Sequence, residues 1–235
     1  MKISILGDSI STYQGYNPVG YSVFYNEEMQ KKNGLESVND TWWKQLINYY
    51  NFDLCSNNSY SGSQVSKKYK HSTNNIERIK LLKGNNEDPD IVLIYIGCND
   101  YIRGTKIKHN NLFSHDINYF YDAYDEMLKN IKKLFPNTKI VCGTLMKSYI
   151  LDYDKFIFPE NYCGIPFEEY NNTIKDLANK NNCFIADLNN QGLRYDTHDG
   201  THPTKLGHME MCRAWIRCLA KEPKIFETNN KKTII

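Results

Sequence analysis

The sequence holds no run of eighteen apolar residues, so no segment is long enough to cross a bilayer as a helix. The opening Met1-Lys2-Ile3-Ser4-Ile5-Leu6-Gly7 reads as a strand, with too few apolar residues for the core of a signal peptide. The chain as it stands is therefore expected to be soluble and cytoplasmic, without a membrane partner. Charge of one sign is also lacking: 29 lysines and arginines face 27 acidic residues, leaving a net charge of +2. So weak a field does not point to nucleic acid. The short clusters Lys67-Lys68-Tyr69-Lys70 and Lys231-Lys232 read as a solvated face and a tail.

The cysteines Cys55, Cys98, Cys142, Cys163, Cys183, Cys212 and Cys218 are odd in number and never spaced Cys-x-x-Cys. That pattern suits free thiols in a reducing compartment, several of them packed as small hydrophobes. Neither Gly-x-Gly-x-x-Gly nor Gly-x-x-x-x-Gly-Lys-Ser/Thr occurs, which removes the usual phosphate cradles, and His-Glu-x-x-His is absent too. There is no internal repeat, heptad or long low-complexity linker.

What is present is a chain 40% hydrophobic and 13% aromatic, enough for a core well beyond that of a minimal domain. Short apolar runs alternate with turns and helix-like segments, the signature of a parallel sheet with helices on both faces. The runs predict five strands over 3–6, 52–55, 91–96, 139–145 and 183–188. Near-continuous hydrophobicity marks strands buried on both sides, and Ile91-Val92-Leu93-Ile94-Tyr95-Ile96 reads as a central one. Helices are predicted over 40–50, 74–82, 117–134, 167–181 and 204–221, with Asp40 capping the first and Pro136 stopping the third. Two aromatic-rich stretches, 11–39 and 147–166, fit neither pattern and read as functional loops. A single domain over 1–221 with a loosely held polar tail over 222–235 is expected.

In an open parallel sheet, ligands bind beyond the carboxyl ends of the strands. There the sequence has Gly7-Asp8-Ser9-Ile10, then Asn57-Asn58-Ser59-Tyr60-Ser61-Gly62, then Gly97-Cys98-Asn99-Asp100, and after the last strand Asp199-Gly200-Thr201-His202-Pro203. A serine hydroxyl is a weak nucleophile until a base removes its proton. Ser9 is the candidate nucleophile and His202 the candidate base, because an imidazole can accept and return a proton within one cycle. Asp199, three residues earlier, can hold the other ring nitrogen. Pro203 keeps His202 out of the following helix. Backbone N–H groups of Ser9 and Gly62 and the amide of Asn99 are the natural donors for an oxyanion.

A metal site is the main competitor, since Asp196, His198, Asp199, His202 and His208 crowd one region. Pro203 argues against a continuous helix through His198 and His202, so no metal is expected. His198 reads as a loop residue, and His208 as packed in the last helix. Trp42, Trp43 and Trp215 read as core. Cys98 lacks a paired base in the pattern and reads as packing.

With its four blocks in this order, the sequence resembles the SGNH/GDSL hydrolase family from residue 3 to about 220. The resemblance maps the family's four name-giving residues onto Ser9, Gly62, Asn99 and His202. It implies a flavodoxin-like three-layer α/β/α sandwich with five parallel strands ordered 2-1-3-4-5, a serine esterase and no cofactor. Ile10 stands where the family usually has Leu, an apolar exchange. Family members act on lipids, thioesters and acetylated sugars, so a lipase, thioesterase or acyltransferase stays open, as does a non-catalytic binding module on the same fold. Aromatic rings in the two long loops suit a short-acyl ester on a carbohydrate, with Asp8, Tyr13, Tyr21, Tyr60, Asp100 and Tyr149 as candidate substrate contacts. The alternative is that these loops pack on each other as a satellite core.

Overall fold

The central strand is the apolar run the sequence advertises. In the computed structural model, which describes residues 1–67, 71–108 and 114–227, β3 (Ile91–Tyr95) is flanked by β1 (Lys2–Gly7) and β4 (Lys139–Gly143). β2 (Asp53–Ser59) lies outside β1 and β5 (Phe184–Ala186) outside β4, giving the order 2-1-3-4-5 with every pairing parallel. Side chains alternate across a strand, so Ile91, Leu93 and Tyr95 enter one core while Val92 and Ile94 enter the other. Both faces are dry, which explains why the runs are continuous and not alternating.

Helices cover both faces. On one, α2 (Trp42–Tyr50) packs on α7 (Lys205–Leu219), with the Trp42 and Trp215 rings stacked at 5.2 Å and 7°. On the other, α5 (Phe120–Leu134) packs between α3 (Ile76–Lys80) and α6 (Phe167–Lys180). Trp42, Trp43 and Trp215 are all fully buried, and truncating such a ring costs about 3–5 kcal/mol.

The helix expected from residue 40 begins at Trp42, because Thr41 is the cap: its hydroxyl accepts the Lys44 N–H. Asp40 instead accepts the N–H groups of Glu36 and Ser37 in the preceding turn. β2 extends four residues past the apolar run. Its polar end is tolerated in the interior because Asn57 donates to the Ser11 carbonyl at 2.8 Å and Asn58 to the Arg78 carbonyl at 2.6 Å.

The first long loop contains a short helix, α1 (Glu27–Lys32), capped by Asn26 with acidic residues first and lysines last. In the second, Ser148–Tyr149 pairs with Tyr195–Asp196, and Asn161–Tyr162 forms a small hairpin with Ile165–Pro166. The polar tail starts with a 3₁₀ turn, Pro223–Phe226, whose Ile225 is buried and whose carbonyls accept the Lys139 ammonium. Residues 68–70 and Lys231-Lys232, named above as basic clusters, lie outside the described residues. All seven cysteines are free thiols. Among the described residues no helix is long and apolar enough to cross a membrane.

Candidate active site

The register of the sheet decides what meets at its edge. Gly7 stands opposite both Ser59 and Tyr95, so the residues that follow β1, β2 and β3 emerge side by side. Ser9 opens a 3₁₀ turn, Ser9–Ser11, which Asp8 caps by accepting the Ile10 N–H at 3.0 Å. The turn lifts the Ser9 hydroxyl above the strand ends, where its Oγ lies 2.9 Å from His202 Nε2. His202 Nδ1 lies 2.7 Å from Asp199 Oδ2. The other oxygen of Asp199 accepts the N–H groups of Thr201 and His202 at 2.9 and 2.8 Å.

Partial burial pushes the Asp199 carboxyl up, but the imidazole and these two N–H groups outweigh it and bring it down to about 2. An ionised carboxylate can only accept. Nδ1 of His202 must therefore carry the ring proton, which leaves Nε2 free to accept from Ser9. His202 stands ahead of the helix: Thr204 caps α7 through the Gly207 N–H. Gly207 sits so close to the Asp196 carbonyl that an added Cβ would lie 2.1 Å from it, so a larger residue there would push the loop off the helix.

Two features bear on the groups expected to donate to an oxyanion. Among the described residues, the backbone N–H groups of Ser9 and Gly62 donate to no protein acceptor. Gly62 holds φ at +77°, a conformation that presents this N–H and that side chains other than glycine rarely adopt. Asn99, in α4 (Cys98–Ile102), directs its amide to Asp8 Oδ2 at 3.3 Å, and the second amide proton is available to an incoming oxygen.

Under this edge runs a buried polar frame. The Arg78 guanidinium, 2% exposed, donates to the carbonyls of Gly7 and Asn58 at 2.8 and 3.0 Å, and to Ser63 and the His71 carbonyl. The fully buried Asp100 carboxylate accepts the Val65 and Ser66 N–H groups and the Ser66 hydroxyl, tying the Gly62 loop to α4. Burial raises the carboxyls of Asp8 and Asp100 to about 6 each, despite these donors.

With the geometry in hand, comparison with known proteins adds a family. A sequence model of the GDSL-like lipase/acylhydrolase family matches residues 1–156. The chain belongs to that family. As a GDSL-like protein it is a hydrolase acting on esters. The matched span contains Ser9, Gly62 and Asn99 and ends before Asp199 and His202.

Among solved structures, a protein from Bacteroides ovatus named as a GDSL-like lipase is 26% identical, with 94% of this chain and 98% of that one covered at a TM-score of 0.69. Its counterpart from Bacteroides uniformis is also 26% identical, covering 94% and 95% at 0.70. A variant of an acetyl xylan esterase from Geobacillus stearothermophilus shares the fold at 19% identity, 92% and 93% coverage and a TM-score of 0.57. No curated protein matches the chain.

Several expected substrate contacts of this GDSL-like hydrolase turn inward instead. Tyr13 is buried, with its hydroxyl on Gln30, because the first loop folds back onto α1. Asp8 and Asp100 are buried frame residues, and Tyr149 donates to Glu210 of α7 at 2.9 Å. Tyr60 stacks on His71 at 4.0 Å and meets the edge of Tyr21, so this pair forms a cluster beyond the Gly62 loop. Of the possible metal ligands, only Asp199 and His202 converge. Asp196 accepts the Leu151 N–H and the Thr204 hydroxyl, His198 is exposed, and His208 is buried beneath the Trp42 N–H. Burial holds the Cys98 thiol far above its ordinary value, which fits a packing role.

Next to the loop that carries Asp199 lies a cavity of about 270 Å³, walled by Tyr101, Leu145, Met146, Phe156, Phe158 and Tyr195. Two of its hydroxyls are engaged: Tyr195 donates to the Thr201 carbonyl at 3.1 Å, and Tyr101 to the Pro159 carbonyl. Tyr162, Asp199 and Thr201 also line it, so the cavity presents polar groups beside its apolar surface. Sequence reasoning missed Arg78, and it read Phe24 only as one of the loop aromatics that could rim the site. Arg78 had a readable signal, a charge four residues before the core residue Leu82. Phe24, whose ring lies on His202, had none beyond being aromatic.

Proposed function

We propose that this chain is a serine esterase in which Ser9 attacks the ester carbonyl, His202 serves as general base and then general acid, and Asp199 orients the imidazole. The carrying observation is the continuous series of contacts from Asp199 to His202 to Ser9, at 2.7 and 2.9 Å. His202 Nε2 takes the Ser9 proton as the Oγ–carbon bond forms, and the carbonyl electrons move onto oxygen. The Ser9 and Gly62 N–H groups and the Asn99 amide stabilise that oxyanion. Collapse breaks the bond to the alcohol oxygen, which takes the proton from His202. Water then attacks the acyl-Ser9 ester by the same route and regenerates the hydroxyl. The test is hydrolysis of a chromogenic acetate ester by Ser9→Ala. A rate reduced by about 10⁴ or more is expected, and wild-type turnover would end the proposal.

On the substrate side, the 270 Å³ cavity beside Asp199 supports an ester with one apolar half. It exceeds the engineered cavity of about 150 Å³ that binds benzene. For the short-acyl carbohydrate ester the rings divide: Tyr13 and Tyr25 lie in the core and Phe24 covers His202, whereas Phe156, Phe158 and Tyr162 line the cavity where rings could meet a sugar face. A series of nitrophenyl esters from acetate to decanoate, run beside acetylated oligosaccharides, separates the two. A rise of roughly four-fold in kcat/KM per methylene until the cavity fills is expected from about 0.8 kcal/mol per buried CH₂. A flat series with turnover of acetylated sugars would restore the carbohydrate reading.

A further inference from the structure

The base sits in a loop nearly two hundred residues from the nucleophile, and the imidazole must keep its plane for Nε2 to face Ser9. What fixes that plane is a pair of adjacent side chains from the first long loop. The Phe24 ring lies flat on the His202 imidazole, with centroids 3.5 Å apart and planes 8° from parallel. Next to it, Tyr25 is completely buried, and its hydroxyl donates to the carbonyl of Pro203, the residue following His202, at 2.7 Å. One contact grips the ring and the other grips the backbone behind it.

The pair is anchored to the nucleophile through a third residue. Thr12 is fully buried; its hydroxyl donates to the Ser9 carbonyl at 2.9 Å and accepts the Phe24 N–H at 2.9 Å. Tyr25 is fixed in turn, because its carbonyl accepts the Gln14 N–H at 3.1 Å and the Gln30 side-chain amide at 2.8 Å. A single hydroxyl therefore links the turn that carries Ser9 to the ring that covers His202. The Phe24 and Tyr25 rings meet edge to face at 4.9 Å and 85°, so neither moves without the other.

We infer that Phe24 and Tyr25 are positioning residues for His202, and that Thr12 is the strut that registers them to Ser9. This rests on the reading of Ser9 as nucleophile and His202 as base. The flat contact restrains rotation of the imidazole about its own bonds, and the hydroxyl on Pro203 holds the loop at one height. Together they keep Nε2 within reach of Oγ. Misplacing a reacting group by about 1 Å can cost on the order of 10² in rate, which sets the scale of the effect.

The test is a set of variants assayed for kcat and KM separately, with the low-field N–H proton of the Asp199–His202 pair followed by NMR. Phe24→Ala is expected to lower kcat by about 10- to 100-fold with KM changed less than about two-fold, and to broaden the low-field proton. Phe24→Tyr, which keeps a flat face, should recover most of the loss. Phe24→Leu, which keeps the apolar cover but not the face, should not. Thr12→Val should lower kcat, and Thr12→Ser, which keeps the hydroxyl, should restore it. A Leu variant as active as wild type would overturn the inference in favour of simple shielding, and so would a sharp low-field proton with full kcat in Phe24→Ala. Covalent labelling of wild-type Ser9 by an organophosphonate separates the two failures. Labelling with unaffected Phe24 variants rejects only the positioning role, whereas no labelling at Ser9 rejects the underlying triad.

Discussion

The Ser9 side and the His202 side of the proposed active site, the nucleophile side and the base side, are built in different ways. Ser9, Gly62 and Asn99 emerge from adjacent parallel strands, and the frame beneath them is sealed: Asp8, Arg78 and Asp100 are 1%, 2% and 0% exposed. The base side is a loop at the surface. The Asp199 side chain is 47% exposed, and the loop is held by contacts from elsewhere: Tyr25 on Pro203, Phe24 on His202 and the Ser148 hydroxyl on the Gly200 carbonyl. Position comes from the sheet on one side and from borrowed side chains on the other. The first arrangement ties catalytic geometry to global stability. The second lets it be perturbed locally.

Substitutions that strike each side alone break this comparison most sharply. Asp199→Asn should lower kcat by about 10⁴, because the amide can stabilise the wrong tautomer of His202. Asp196→Asn should act mainly on stability, since that carboxylate supports the Leu151 N–H and the Thr204 hydroxyl. Steady-state kinetics with thermal unfolding on both variants checks the ranking, and equal losses of kcat would erase the distinction. Asn99→Ala is the next largest, an expected fall in kcat of about 10² to 10³ with little change in KM. A change confined to KM would move Asn99 from the oxyanion to ground-state binding.

A smaller effect sharpens the sealed side. Asp8 is raised to about 6 in the folded protein from an ordinary 3.8, mainly by burial. The folded state thus holds the proton over a window, from about pH 6 down to about 4, in which the unfolded chain has released it. Stability from this group therefore increases as pH falls through that window and is lost as pH rises. Relative to Asp8→Asn, wild type should gain about 2–3 kcal/mol between pH 8 and pH 4, at roughly 1.4 kcal/mol per pKa unit. Urea unfolding of both proteins at the two pH values measures it.

Much of the sealed side was legible in the sequence. Continuous apolar runs located β1, β3 and β4 because strands buried on both faces need them, and the strand ends pointed to Ser9 and Asn99. The end of β2 was hidden, since Asn57, Asn58 and Ser59 look like a loop until their partners on Ser11 and Arg78 are known. Asp8 and Asp100 looked like substrate contacts for the same reason. On the base side, the turn residues Asp199, Gly200 and Pro203 made the loop readable, but its supports did not declare themselves. Phe24 and Tyr25 were two aromatics among many, and nothing local separates a ring that covers an imidazole from one that could grip a sugar. Long-range partners carry that information.

The central claim is that Ser9 is the nucleophile of this esterase. Reaction with a fluorescent organophosphonate followed by peptide mass mapping tests it in one step. One adduct per chain is expected, on Ser9, and none in Ser9→Ala. An adduct on any other residue, or full labelling of Ser9→Ala, would contradict the account.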